Sequence, residues 1–271
     1  GRREQVWRLH QAYQRNLAER GLTDYNDLLV LATEEVRERP LAEPFAAVVV
    51  DEVQDLPQVG LRLVHTLVGD RPDGLLLVGD GQQQVYPGGW WLIDAGIHVQ
   101  GRGETLRVNY RNTRAVLAAA QDVPAPNQLD EEDGAPGATL REVTATLAGG
   151  TVHRWSGSAE ELEQALVAEA KVVSEAHEET AVLLGSNDDV SQAIRWLRQA
   201  GIPAMPLKDY DGTQPGVKVG TVHRAKGMEF GAVLVVLRGT EDDGHDASLT
   251  DRRLLVAITR ARDHAWLATV R

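Results

Sequence analysis

The sequence predicts an α/β protein with parallel sheets in two units, and three observations carry that reading. Residues 46–55 read AAVVVDEVQD and residues 74–80 read GLLLVGD, two apolar runs that each stop at an acid. Unbroken runs suit strands buried on both faces of a parallel sheet, where strict alternation is not expected. From Thr151 onward, short apolar runs alternate with stretches of helical spacing, the pattern of successive βα units. Between the two halves, residues 122–136 are rich in Pro, Asp, Glu and Gly and read as a linker or surface loop.

The elements follow in order. Val6 to Ala18 and Tyr25 to Arg37 have apolar residues at helical spacing, with Gly21 and Pro40 breaking the pattern after each. Strands are predicted at 46–50 and 75–78 with a helix near 57–67 between them, a βαβ unit. Residues 115–121 read as helical. In the second half, strands are predicted at 151–155, 180–184, near 202–205, 217–221 and 232–237, with helices at 159–175 and 188–199. The domain boundaries drawn on this basis are 1–112 for the first unit, 113–150 for a connecting helix and acidic linker, and 151–271 for the second.

Composition narrows the function classes. With 271 residues, 42% of them hydrophobic and no cysteine, the chain is long enough for two cores and has no disulfide framework. No apolar run approaches the roughly 20 residues that cross a bilayer, and no leader pattern is seen, so a cytoplasmic monomer with no membrane partner is expected. The formal net charge of −12 argues against nucleic-acid binding by bulk positive charge, so any such surface must be local. No His cluster has metal-ligand spacing along the chain, and no zinc is expected.

Asp51 and Glu52 stand where the first apolar run ends. Ligands of open α/β sheets bind at the carboxyl ends of strands, and two acids there suit a hard cation such as Mg²⁺ with a water-activating carboxylate beside it. The run at Leu75–Val78 delivers Asp80 and then Gln82, Gln83 and Gln84 to the same edge. Three further blocks follow: LRVNYRNT at 106–113, VKVGTVHRAKGMEF at 217–230 and RLLVAITRA at 253–261. These five blocks resemble, in order, motifs II to VI of the UvrD, Rep and PcrA group of superfamily 1 DNA helicases, and GLTDYNDLL at 21–29 resembles the DFxDLL element that precedes motif II in that group. The resemblance runs from about Val6 to Leu267. It implies two RecA-like domains, the first incomplete. The helical insertion that the group carries in the second domain is absent, since only LKDYDGTQPG separates Pro206 from Val217.

What the resemblance implies for each residue is specific. Asp51 would hold Mg²⁺, mostly through water, and Glu52 would orient or deprotonate the attacking water. Gln54 and Gln83 would sense the γ-phosphate of ATP, with Gln82 and Gln84 leaving room for a shift in that alignment. Arg111 and Arg260 resemble arginine fingers. Glu229 resembles the ribose-contacting glutamate of motif V, and Gly227 allows close backbone approach. Tyr86, Trp90, Trp91, Asn109, Tyr110, Thr221 and His223 are the implied single-stranded DNA contacts. YPGGWW replaces the family's YxWRGA, so either Trp90 or Trp91 is the stacking candidate, with hydrophobic packing as the alternative.

No GxxxxGK[ST] phosphate loop occurs in the 271 residues, and no lysine sits in such a context. The chain therefore reads as the C-terminal part of a longer helicase in which the loop lies upstream. The expected function is that of an ATP-dependent DNA helicase or translocase moving 3′ to 5′ on single strands, with this chain inactive by itself. A non-catalytic binding module and the motor subunit of a helicase–nuclease complex are the alternatives.

Overall fold

The computed structural model describes residues 1–83, 92–99, 102–125, 140–237 and 247–271. The described residues form two compact units. The first comprises residues 1–80, 92–99 and 102–103, and the second comprises the rest.

The first unit opens with helices α1 (Arg2–Arg20) and α2 (Tyr25–Glu38). Asp24 caps α2 by accepting a hydrogen bond from the Asp27 amide at 2.8 Å. Strand β1 (Val48–Val50), helix α3 (Gln58–Val68) and strand β2 (Leu75–Leu77) then make a βαβ unit, with β1 and β2 parallel and Val49 opposite Leu76. Val53, Leu61, Val68, Ala95 and Ile97 form a small buried set. Burial of β1 on both faces was the expectation, and the structure corrects it: Val49 is 67% and Leu76 56% exposed. A two-stranded sheet has its apolar side chains alternately above and below the pleat, and only one of these faces is covered.

The second unit carries a six-stranded, all-parallel sheet. Its strands are β5 (Thr151–Gly157), β6 (Thr180–Leu184), β7 (Ala204–Pro206), β8 (Val217–Thr221), β9 (Phe230–Val236) and β10 (Ala261–Val270), in the order β5-β10-β9-β6-β8-β7. Strands β6 and β9 are buried along their whole length, as an apolar run in the middle of a parallel sheet requires. One core layer packs helix α5 (Leu162–Ala176) and helix α6 (Asn187–Gln199) against one face through Leu162, Leu166, Leu197 and Trp266. The other packs helix α4 (Arg114–Gln121) and helix α7 (Ala247–Thr259) through Val116, Ala120, Leu255 and Ile258. A short turn at Leu207–Asp209 is all the regular structure between β7 and β8, consistent with the missing insertion.

Helix α7 and strand β10 were not predicted from the sequence, and two further segments differ from that reading. Strand β3 (Val108–Thr113) pairs in parallel with β4 (Thr144–Leu147), and both belong to the second unit. The boundary drawn at 112/113 thus falls inside one strand. Asn112 explains the attachment: its side chain donates to the carbonyls of Thr259 at 3.0 Å and Ala261 at 2.6 Å. Helix α4, read as a connector, is a core helix, and Val123 and Ala125 at the start of the supposed linker are also buried.

On the sheet face under α5, His264 is almost fully buried. Burial holds its imidazole below the ordinary histidine pKa, with His153 and His177 acting in the same sense and Glu169 opposing them.

Candidate functional site

In the first unit the site starts where β1 stops. Asp51 is exposed, and Glu52 adopts φ +52°, ψ +43°, an unusual backbone for a non-glycine residue. This kink lets the Glu52 amide donate to Asp51 Oδ1 at 2.8 Å. Gln54, 2% exposed, donates through Nε2 to Glu52 Oε2 at 2.5 Å and accepts at Oε1 from the Asp80 amide at 3.1 Å. One amide side chain therefore ties the carboxyl end of β1 to that of β2. Gly79 makes this possible, because a Cβ there would lie 2.4 Å from Gln54 Oε1 and 2.7 Å from Val53 Cγ1. The oxygen donors of Asp51 and Glu52 are the hard ligands that Mg²⁺ takes, and Asp51 is open to solvent, so the residues present fit a largely hydrated Mg²⁺.

In the second unit, three separate sequence blocks meet at Gln83. Arg260 donates through Nη2 to Gln83 Oε1 at 3.0 Å, and Lys226 Nζ donates to the Gln83 carbonyl at 3.2 Å. Arg260, 2% exposed, also donates to Thr259 Oγ1 and to the carbonyls of Met228 and Val256. Of the three consecutive glutamines, Gln82 is buried, donating to the Ala125 carbonyl and accepting from the Leu140 amide. Gln84 lies outside the described residues, as do Tyr86, Trp90 and Trp91.

Arg111 Nε donates to Glu229 Oε2 at 2.9 Å, pairing the candidate finger of β3 with the candidate ribose ligand at the end of the β8–β9 connection. Asn109 closes the loop beneath that arginine. Its Oδ1 accepts from the amides of Arg111 and Asn112, and its Nδ2 donates to Asn112 Oδ1. Tyr110, between them, is 75% exposed. Thr221 ends β8, and its carbonyl accepts from the amides of Arg224 and Ala225, turning the chain through His223. Gly227 sits at φ +79° with open space where a side chain would begin. Lys226 and Asn112 were not picked out from the sequence; the carbonyls of Gln83, Thr259 and Ala261 that they bond lie more than a hundred residues away, and only the fold brings them together.

Comparison with known proteins now adds to this geometry. Residues 1–90 match the family described as the UvrD/REP helicase N-terminal domain, and residues 216–268 match the UvrD-like helicase C-terminal domain. The two matches together span more than half of the chain. The chain belongs to the UvrD-like helicase family. Asp51, Glu52, Gln54 and Gln83 fall within the N-terminal match, and Thr221, His223, Gly227, Glu229 and Arg260 within the C-terminal match of this helicase family. A probable DNA helicase of Mycoplasma pneumoniae is 27% identical over 288 residues, covering 96% of this chain and 51% of that protein. DNA helicase II of Escherichia coli is 33% identical over 134 residues, 43% of this chain and 18% of that protein. The chain thus spans about half the length of the first of these UvrD-like relatives and less of the second. A solved structure, the C-terminal domain of a possible DNA helicase from Lactobacillus plantarum, aligns with 60% of this chain and 88% of that one at 18% identity and a TM-score of 0.44.

Proposed function

We propose that these residues form the motor portion of an ATP-dependent helicase or translocase acting on single-stranded DNA, with 3′ to 5′ movement. The observation that carries the reading is the cluster at Gln83, where a glutamine following the second acidic strand is gripped by a lysine and an arginine from two other family blocks. Such a cluster links a phosphate-sensing amide to a fixed guanidinium charge. We take the first compact unit as part of the first RecA-like domain and the second as the second.

In this reading, Asp51 would hold Mg²⁺, and the cation would neutralise phosphate charge when ATP is bound. Glu52, turned off the strand axis by its backbone and held by Gln54, takes the proton of the attacking water. Gln54 and Gln83 report on the γ-phosphate. Arg260 and Arg111 stabilise the negative charge that grows in phosphoryl transfer, while Glu229 and Gly227 meet the nucleoside end. On the DNA side, Tyr110 stacks on a base, Thr221 and His223 contact the strand, and Asn109 positions Tyr110 and Arg111. Tyr86, Trp90 and Trp91 complete the stacking set. A cytoplasmic, monomeric protein follows from the same reading.

Residues 1–271 contain no phosphate loop, and so lack the amide cradle, lysine and hydroxyl that hold the β and γ phosphates. We therefore expect this chain by itself to bind ATP weakly and not to hydrolyse it.

The test is DNA-stimulated ATP hydrolysis and unwinding of duplexes with 3′ or 5′ single-stranded tails by the intact protein. Unwinding from the 3′ tail supports the proposal. Tight single-strand binding without hydrolysis would instead favour a non-catalytic binding module, and hydrolysis coupled to strand cleavage a helicase–nuclease subunit.

A further inference from the structure

Away from these groups, the second unit brings together two imidazoles and a carboxylate from three elements. His153 lies on the edge strand β5, His264 on β10 and Glu169 on α5. Their candidate ligand atoms all fall within 4.8 Å of one another. Glu169 Oε1 is 3.0 Å from His153 Nδ1 and 3.1 Å from His264 Nε2. We propose that His153, Glu169 and His264 form a binding site for a divalent transition cation of Zn²⁺ type, which ties the edge strand of the sheet to its neighbour and to the covering helix.

The geometry supports this in three ways. Ligand atoms at the corners of a tetrahedron around Zn²⁺, with bonds of about 2.0–2.1 Å, are separated by about 3.3 Å, close to two of the observed spacings. The remaining edge, between His153 and His264, needs His153 to close in, and His153, with 60% of its side chain exposed, is the ligand with freedom to do so. The third support lies behind the buried ligand: Thr151 Oγ1 is 2.6 Å from His264 Nδ1. With the cation on Nε2, Nδ1–H donates to the threonine oxygen, the outer hydrogen bond that commonly fixes a ligating imidazole.

Two nitrogens and one carboxylate favour a borderline cation over Mg²⁺, which prefers an all-oxygen shell. Three protein ligands leave a fourth position for water. The histidines are 111 residues apart in sequence, so spacing along the chain gives no sign of the site and the expectation of no zinc did not register it.

The test uses the purified 271-residue chain stripped with a chelator, with Zn²⁺ and Co²⁺ as probes. One equivalent of Zn²⁺ should bind in competition with an indicator dye, Co²⁺ should give the visible absorption of tetrahedral coordination, and Tm should rise by about 5–10 °C at a hundredfold excess over Kd. His153→Ala and Glu169→Gln should each weaken binding by about 100-fold or more. His153 is largely exposed, so that variant stays folded and keeps the test decisive even if replacing buried His264 unfolds the unit. Absence of saturable binding, unchanged affinity in both variants, or displacement of Zn²⁺ by millimolar Mg²⁺ would overturn the proposal.

Discussion

Arg260 Nη2 donates to Gln83 Oε1 across 3.0 Å, joining residues 177 positions apart. The bond fixes a buried guanidinium and a glutamine side chain in a single geometry, so neither can reorient without the other. In the intact, hydrolysing protein, Arg260→Ala should lower kcat by roughly 10³-fold or more through lost transition-state charge. Arg260→Lys should fall nearly as far, because a point charge does not reproduce the fork. A double-mutant cycle with Gln83→Ala should show coupling of about 1–3 kcal/mol; additive effects would mean that the two act separately.

Glu52→Gln preserves size and the hydrogen bond from Gln54 while removing the base. Steady-state hydrolysis in the intact protein should drop by about 10² or more, with ATP binding retained. Normal turnover by this variant would move the base elsewhere.

The pair between Arg111 and Glu229 is largely exposed, with side-chain exposures of 41% and 63%. Its contribution to stability should be under about 1 kcal/mol, so Glu229→Gln should melt like the parent while raising KM for ATP. Arg111→Ala should act on kcat instead. Thermal melts beside steady-state kinetics separate the two effects, and a Glu229→Gln variant that unfolds would show that the pair is structural.

Gly79→Ala places a methyl group on Val53 Cγ1 and on Oε1 of the buried Gln54, which could yield only by giving up its hydrogen bond from the Asp80 amide. The expected cost is about 1–3 kcal/mol, read as a lower denaturation midpoint of the first unit. Gly227→Ala meets no neighbour and carries only the strain of its positive φ, about 1 kcal/mol.

Tyr110 is exposed, so Tyr110→Ala should leave folding intact and weaken single-strand binding by about 1–3 kcal/mol, with little change in salt dependence because no phosphate contact is lost. Replacing Trp90 and Trp91 together should do the same. Fluorescence titration at several salt concentrations decides it; unchanged binding would assign the aromatic residues to packing.

The acids after β1, the βα alternation and the borders of β6 and β8 were legible because apolar runs and abrupt polar stops are local signals. Strand β3 was not: VNYRNT is polar, and the reason it is a strand lies in hydrogen bonds from Asn112 and Thr113 to the far end of the chain. Helix α7 was hidden for the opposite reason. Leu255, Val256, Ala257 and Ile258 are all buried, so no polar face marks the helical period. Lys218, in the middle of β8, looks like a surface residue in the sequence. It is buried instead, with its ammonium near the Glu178 carbonyl at 3.4 Å, Glu179 at 4.0 Å and the Tyr210 ring at 4.9 Å.

Strand β10 lies between β5 and β9 although it follows both in sequence. On a ribosome, the seat for this strand stays open until everything up to Val270 has emerged, and the apolar flanks of two finished strands wait exposed for it. A chain halted at Arg260 would lack an interior strand as well as Asn112's second carbonyl partner, so the second unit should become protease-resistant late and abruptly during synthesis.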